Sequence, residues 1–298
     1  MSQDRNMLTF RCRHRHSAMS HPKCYLKFLS GDQGVVKKFP KVLLFDIETS
    51  PLQAFIFQKS IWKANVGADQ VISEWYMLTW SAKWLFSEEV FSERLTGKEA
   101  KNEDDSRIVG SLWQLLDEAD IVIAHNGDGF DIPNMNTRFV VLGFPPPSPY
   151  QTIDTMLVAR KQFGFTHNSL NGLAKLFGLS PKMETDFELW KRCVSGDEDA
   201  LKYMQKYNIG DVNLLEKIYL KLRPWIKSHP NIGLYVESME AVCPNCGSSD
   251  LKWVDDKYYY TTTSKFPLFV CSCGAYGRSR HNAVNKEIHK GLVVGLAK

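Results

Sequence analysis

The stretch KVLLFDIETS, residues 41 to 50, constrains the fold more than any other part of the chain. Four apolar residues, Val42 to Phe45, run without a break, and such a run reads as a buried strand. Asp46 and Glu48 end it. Alternate side chains of a strand point to the same face, so the two carboxylates converge. Left unpaired at that distance they would repel, and one would take up a proton. A hard divalent cation removes the conflict, because Mg²⁺ accepts one or two protein carboxylates and completes its shell with water and substrate phosphate.

The segments after this strand set the fold class. QAFIFQKSIW and EWYMLTWSAKWL are rich in aromatic and β-branched residues and read as two more strands. The segment DSRIVGSLWQLLDEAD has helical spacing at Ile108, Leu112, Leu115 and Leu116, with Asp105 or Ser106 as cap. DIVIA is another buried strand. DIPNMNTRFVVLG starts a helix with Pro133 in its first turn and Gly143 as its stop. QTIDT reads as a short strand, and TMLVARKQFG and SLNGLAKLFG as helices. Residues 198 to 222 form a last long helix that ends at Arg223-Pro224. Three neighbouring strands and then strand–helix repeats imply a mixed α/β sheet with helices on its faces. Most of Trp62, Trp75, Trp80 and Trp84, at strand spacing, are expected in the core.

This body spans residues 39–228. Residues 1–38 have no clear periodicity and read as a basic leader; Cys12, His14, His16, His21 and Cys24 lie there at spacings that match no familiar zinc finger. Residues 228 to 240, with Pro and Gly at their start, read as a joint. A small cysteine-containing module covers 240–282, and a basic tail covers 283–298.

Charge and cysteine usage narrow the chemistry. Lys and Arg number 37 against 33 Asp and Glu, a net charge of +4 that does not by itself indicate a nucleic-acid partner. The positive charge gathers at the two ends, which favours a polyanion. Seven cysteines, four of them clustered between 243 and 273, look like free thiols plus a metal site rather than a disulfide framework. "CPNCG" and "CSCG" present Cys243, Cys246, Cys271 and Cys273 as two knuckles, each with a Gly after its second Cys. That pattern fits a tetrahedral Zn²⁺ ribbon, with a second knuckle one residue shorter than usual. Tyr276, Arg278, Arg280 and His281 come after that knuckle, a ring among cations that suits single-stranded nucleic acid. With no signal peptide and no apolar run of transmembrane length, the expectation is a soluble, cytoplasmic protein without membrane contact.

Two further groups share the acidic theme. "AHNGDGFD" comes after the DIVIA strand and offers Asn126, Phe130 and Asp131. Ends of neighbouring strands meet on the edge where open α/β sheets bind ligands. An amide and a ring beside an acid suit a sugar-phosphate and a stacked base. "YNIGD" places Tyr207 and Asp211 one helical turn apart on one face. Gly210 between them weakens a helix by about 1 kcal/mol relative to Ala, which a close approach of backbone or ligand would explain. Asp154 at the end of QTID is expected in a structural or supporting role, and His125 as a satisfied strand-end histidine.

DIET, then N-x-x-x-F-D, then Y-x-x-x-D, in that order, resembles the DEDD exonuclease superfamily in its tyrosine-bearing branch. These are ribonuclease H-like 3′→5′ exonucleases, among them proofreading domains of DNA polymerases. The resemblance covers roughly residues 40 to 225. The wording "PPPSPY…IDT…ARKQFGF…LRPWI" is similar to phage-encoded and bacterial stand-alone members with a terminal zinc ribbon. The resemblance implies a catalytic set of Asp46, Glu48, Asp131, Tyr207 and Asp211. Asp46, Glu48 and Asp211 would hold one Mg²⁺ or Mn²⁺. Asp46 would bridge to a second, with Asp131 helping through water, and Tyr207 would orient the attacking water. It further implies Zn²⁺ as a structural ion and single-stranded DNA as the favoured substrate. RNA is possible, as is a separate DNA polymerase as partner, and a phage-encoded protein would work in the host cytoplasm. Two other classes stay open: a structure-specific or RNA-directed nuclease of the same fold, and a catalytically idle module that binds nucleic acid or a polymerase.

Overall fold

The computed structural model describes residues 39–57, 66–179, 183–236, 238 and 240–296. The basic leader with its cysteines and histidines, and Trp62, lie outside the described residues. The chain divides into two compact units: residues 41–228, and a second that includes everything from His229 onward.

In the first unit β1 (Val42–Thr49) is the central strand, as its unbroken apolar run requires. The short hairpin strands β2 (Gln53–Ala54) and β3 (Val71–Ser73) pair only with each other. β4 (Met77–Trp84) lies antiparallel to β1 on one side, and β5 (Phe91–Arg94) adds to the edge antiparallel to β4. The chain then passes through α1 (Gly97–Lys101) and α2 (Ser106–Glu118) to β6 (Ile121–Ala124), which lies parallel to β1 on the other side. After α3 (Asp131–Leu142), β7 (Gln151–Asp154) adds a parallel edge, and then come α4 (Thr155–Gln162), α5 (Leu170–Leu176), α6 (Phe187–Val194) and α7 (Glu198–Leu222). The order across the sheet is β5-β4-β1-β6-β7. This is the mixed α/β architecture of the ribonuclease H-like fold, with helices against the sheet.

Burial follows the periodicities. Val42 to Phe45 are buried, and so is all of β6. α2 buries Ile108, Val109, Leu112 and Leu116, one stripe of its surface, and each fully buried Leu or Ile contributes about 1.5–3 kcal/mol. Its cap differs from expectation. Asp105 holds the N-cap position but makes no cap bond; its carboxylate accepts Met77 N–H at 2.8 Å and pairs with Arg138. Asp104 takes over by accepting the Ser106 N–H at 3.1 Å. Gly143 ends α3 at φ 77°, a left-handed turn where a side chain would be strained. α7 has 25 residues, so it is roughly 37 Å long. Its N-terminus is capped by Asp197, which accepts Asp199 and Ala200 N–H groups. It buries Ala200, Leu201, Met204, Tyr207, Asn208 and Asp211 along one side, and a 3-10 turn at Arg223–Trp225 closes it.

Two expectations change. QAFIFQKSIW reads as a strand; among its described residues Gln53 and Ala54 form the strand, and Phe55 and Phe57 are exposed. Strand propensity without a facing partner or a core to cover does not make a long strand. Gly210 is not a point of close approach within the protein: a Cβ built there meets nothing within 4 Å.

The second unit carries α8 (Gly233–Val236) and a three-stranded antiparallel sheet, β8 (Leu251–Tyr260), β9 (Lys265–Cys271) and β10 (Tyr276–Arg278), and ends in α9 (Lys286–Lys290). The turn between β8 and β9 falls at residues 261–264, in the Thr-rich centre of the segment. Among the described residues, no helix is long and apolar enough to cross a membrane.

Candidate active site

The carboxylates gather where β1 runs past its parallel neighbour. β1 pairs with β6 only over Val42–Leu44, so its last residues project beyond the end of β6. On its other side Asp46 stands opposite Ser81 and Glu48 opposite Thr79 of β4. α7 packs on these two strands and brings Asp211, which is 3% exposed, to the pair. Carboxylate oxygens of Asp46, Glu48 and Asp211 all lie within 4.8 Å of one another. A divalent ion with oxygen ligands near 2.1 Å separates them by about 3.0–4.2 Å, so this donor set fits a hard cation.

Asn208, fully buried on α7, reaches the same place. Its Nδ2 donates to Asp46 Oδ2 at 2.6 Å. An amide donor fixes the carboxylate rotamer through one oxygen and leaves the other for an ion, the usual task of a residue behind a metal ligand. Tyr207 is buried one turn before Asp211.

Asp131 stands outside the three-carboxylate group but is tied to it through the backbone. It opens α3, is 2% exposed, and its Oδ1 accepts the Ile47 N–H at 3.2 Å, between Asp46 and Glu48. Burial pushes its carboxyl up to about 7, against the pull of the Ile47 N–H. The turn before it is built by Asn126, which takes φ 70° and whose carbonyl accepts Gly129 and Phe130 N–H groups. Asparagine tolerates that left-handed conformation better than most residues. Phe130 sits at the head of α3 with its ring partly exposed.

Asp154 holds this loop from below. Its carboxylate accepts N–H groups of Asn126, Asp128, Met156 and Leu157 at 2.9–3.2 Å, so it caps α4 and clamps the β6 loop at once. His125 is held at both ring nitrogens, by Thr155 Oγ1 and the Asn168 carbonyl, each at 2.9 Å. Both are structural residues around the site.

The second cluster belongs to the other unit. The sulfurs of Cys243, Cys246, Cys271 and Cys273 lie within 4.8 Å of one another. Cys243 Sγ is 3.7 Å from Cys273 Sγ, and Cys246 Sγ is 3.5 Å from Cys271 Sγ. Metal–sulfur bonds of about 2.3 Å in a tetrahedron separate sulfurs by about 3.8 Å, so the spacing suits a four-thiolate ion site. Gly247 at φ 73° and Gly274 at φ 87° turn the two knuckles. Burial pushes the Cys246 thiol up to about 11, so a bound cation is what would hold it as thiolate. Arg278 and Arg280 lie on or just after β10, in this same unit.

A family model described as the RNase H superfamily matches residues 43–223, more than half of the 298. The chain belongs to the RNase H superfamily. Membership supports a nucleic-acid hydrolase of this fold, whose members work with divalent metals, and the acidic cluster fits that need. No curated protein matches the chain. Among solved structures, the family B DNA polymerase from the hyperthermophilic archaeon Pyrobaculum calidifontis is similar, at TM-score 0.48 and 17% identity over 66% of this chain. The match covers 26% of that polymerase, so the chain spans about a quarter of its length.

Sequence reasoning singled out the three acids that cluster here but not Asn208. The signal was present. Met204, Tyr207, Asp211 and Leu215 mark the buried side of α7, and Asn208 falls on that side, where an uncharged polar residue needs a partner.

Proposed function

We propose that the chain is a metal-dependent 3′→5′ exonuclease of the tyrosine-bearing DEDD branch, hydrolysing phosphodiester bonds with single-stranded DNA as its preferred substrate. The observation that carries this reading is the convergence of Asp46, Glu48 and Asp211 from a strand end and a distant helix. Two divalent ions, Mg²⁺ or Mn²⁺, would neutralise the phosphate and lower the pKa of the attacking water. Asp46, Glu48 and Asp211 would hold one ion, and Asp46 with the help of Asp131 would serve the second. Asn208 keeps Asp46 in the binding rotamer. Tyr207 orients the water by a hydrogen bond. Phe130, exposed at the rim, stacks the terminal base. Asn126 acts through the turn that delivers Phe130 and Asp131. The ribbon cysteines hold a structural Zn²⁺: four sulfur ligands leave no open position for water.

Incubation of the full-length chain with end-labelled linear single-stranded DNA, linear RNA and single-stranded circles, in Mg²⁺ or Mn²⁺, tests the reading. Stepwise shortening of linear DNA from its 3′ end, with circles intact, is the expected result. Cut circles would make it an endonuclease, and faster RNA cleavage would change the substrate. Loss of no substrate at all would leave a binding module.

A further inference from the structure

The cysteine unit has two unlike sheet faces. Cross-strand register puts Leu251, Trp253, Phe269 and Cys271 on the face that carries the sulfur cluster. The opposite face is built in rows. Lys252, Val270 and Tyr276 form one row, and Val254, Leu268 and Arg278 the next. Beyond a bulge at residues 255–257, Tyr259 stands opposite Phe266. No carboxylate stands in these rows.

Arg278 is stacked on this face. Its guanidinium carbon lies 4.2 Å from the Phe266 ring centre and 5.2 Å from that of Tyr259. Its Nη1 donates to the Ser279 carbonyl at 3.2 Å. Most of its five donors remain for an anion, and stacking has already fixed the plane of the fork. Tyr259 and Tyr276 are 50% and 69% exposed, large rings that a globular surface does not normally leave to water beside a stacked cation.

We infer that this outer face of the cysteine ribbon holds single-stranded nucleic acid, with Arg278 on a phosphate and Tyr259 and Tyr276 as stacking platforms. Charge points the same way: residues 243–296 contain seven Lys and Arg against four Asp and Glu. Aromatic platforms set among cations track a single strand without regard to sequence, because every base has a π face and every linkage a charge. The inference rests on the proposed nuclease reading and deepens it. The ribbon grips the strand on a surface built from its own unit's residues.

The test uses the full-length chain and two variants, Tyr276→Ala and Arg278→Ala. Binding of a 30-nucleotide oligothymidylate is monitored by fluorescence anisotropy across a salt series, with Ca²⁺ replacing the catalytic ion to hold back turnover. Hydrolysis of a six-nucleotide oligomer in Mg²⁺ is measured in parallel, and zinc per chain reports ribbon folding. Each variant should bind the long strand roughly ten-fold more weakly. Arg278→Ala should also flatten the slope of log K against log salt by about 0.7, the share of one single-strand phosphate. Zinc content and short-oligomer hydrolysis should stay within two-fold. Wild-type affinity in the Tyr276→Ala chain, whose ring lies exposed on the surface, would overturn the inference and leave the nuclease reading intact. A wild-type chain that cleaves nothing, while both variants lose the long strand, would overturn the nuclease reading and leave this surface standing.

Discussion

The three-carboxylate cluster and the four-sulfur cluster both suit a cation, but they stand in opposite relations to the hydrophobic core. Asp46, Glu48 and Asp211 sit at the edge of a core that includes Leu43, Phe45, Met77, Leu112 and Leu201. That core exists without them, and the like charges work against it. The four cysteines, by contrast, are the centre of their own unit. Among the described residues, Leu251 and Ala275 are the apolar partners that cluster with them. One site stands at the margin of a core built by other residues, while the other forms the middle of its own small cluster.

The largest effect should come from breaking the sulfur site. Chelation, or Cys243→Ser, is expected to unfold the ribbon entirely, because four-thiolate ions contribute about 10 kcal/mol or more to such modules. Limited proteolysis should then remove residues after about 240 and leave the first unit resistant. A ribbon that stays protected in chelator would end the contrast.

The acids should respond in the opposite sense. Asp46→Ala and Asp211→Ala are expected to lower turnover by roughly 10³-fold, as loss of the charge that faces the phosphate demands. Thermal stability should hold or rise in Asp211→Ala, because repulsion is relieved, whereas Asp46→Ala also removes the acceptor of the buried Asn208 amide and should lose about 1–3 kcal/mol. Calorimetry checks this, and a large fall in Tm for Asp211→Ala would show the carboxylates to be part of the core after all.

Smaller losses separate roles within the site. Tyr207→Phe should slow hydrolysis by about 10²-fold or less, milder than loss of an acid, since only the hold on water is removed. An unchanged rate would rule out that role. For Asn208→Ala the half-saturating Mn²⁺ concentration should rise about 10-fold, the usual penalty for losing a residue behind a metal ligand. Saturating Mn²⁺ should restore most of the rate; a Mn²⁺ requirement identical to wild type would show that Asn208 only packs.

Gly210→Ala gives the smallest effect and the sharpest probe of open space. With nothing within 4 Å of the new methyl, the helix should gain up to about 1 kcal/mol. Unchanged activity is expected; a stabilised but slow variant would place substrate backbone against that turn.

Most of this arrangement was legible because it depends on short-range rules. Period two on β1 put Asp46 and Glu48 together, and one helical turn put Tyr207 beside Asp211. Gly143 marked the end of α3, and Arg223-Pro224 the end of α7. The features that stayed hidden depend on long-range partners. Asn208 acquires its role only when α7 crosses β1. Phe55 and Phe57 look like strand residues until the lack of a covering surface is known. α6 escaped notice because two buried residues, Leu189 and Cys193, make too short a stripe to announce a helix. Asp105 reads as a cap from its position, yet Arg138, distant in sequence, draws its carboxylate elsewhere.

The bond from Asn208 to Asp46 spans 162 positions of sequence. On a ribosome adding roughly 5–20 residues per second, Asp46 is made about 8–30 s before its partner. β1 and β6 can pair in that interval, but Asp211 arrives later still. No half-made chain carries the three-carboxylate group. The cluster is therefore withheld until more than two thirds of the chain has been made.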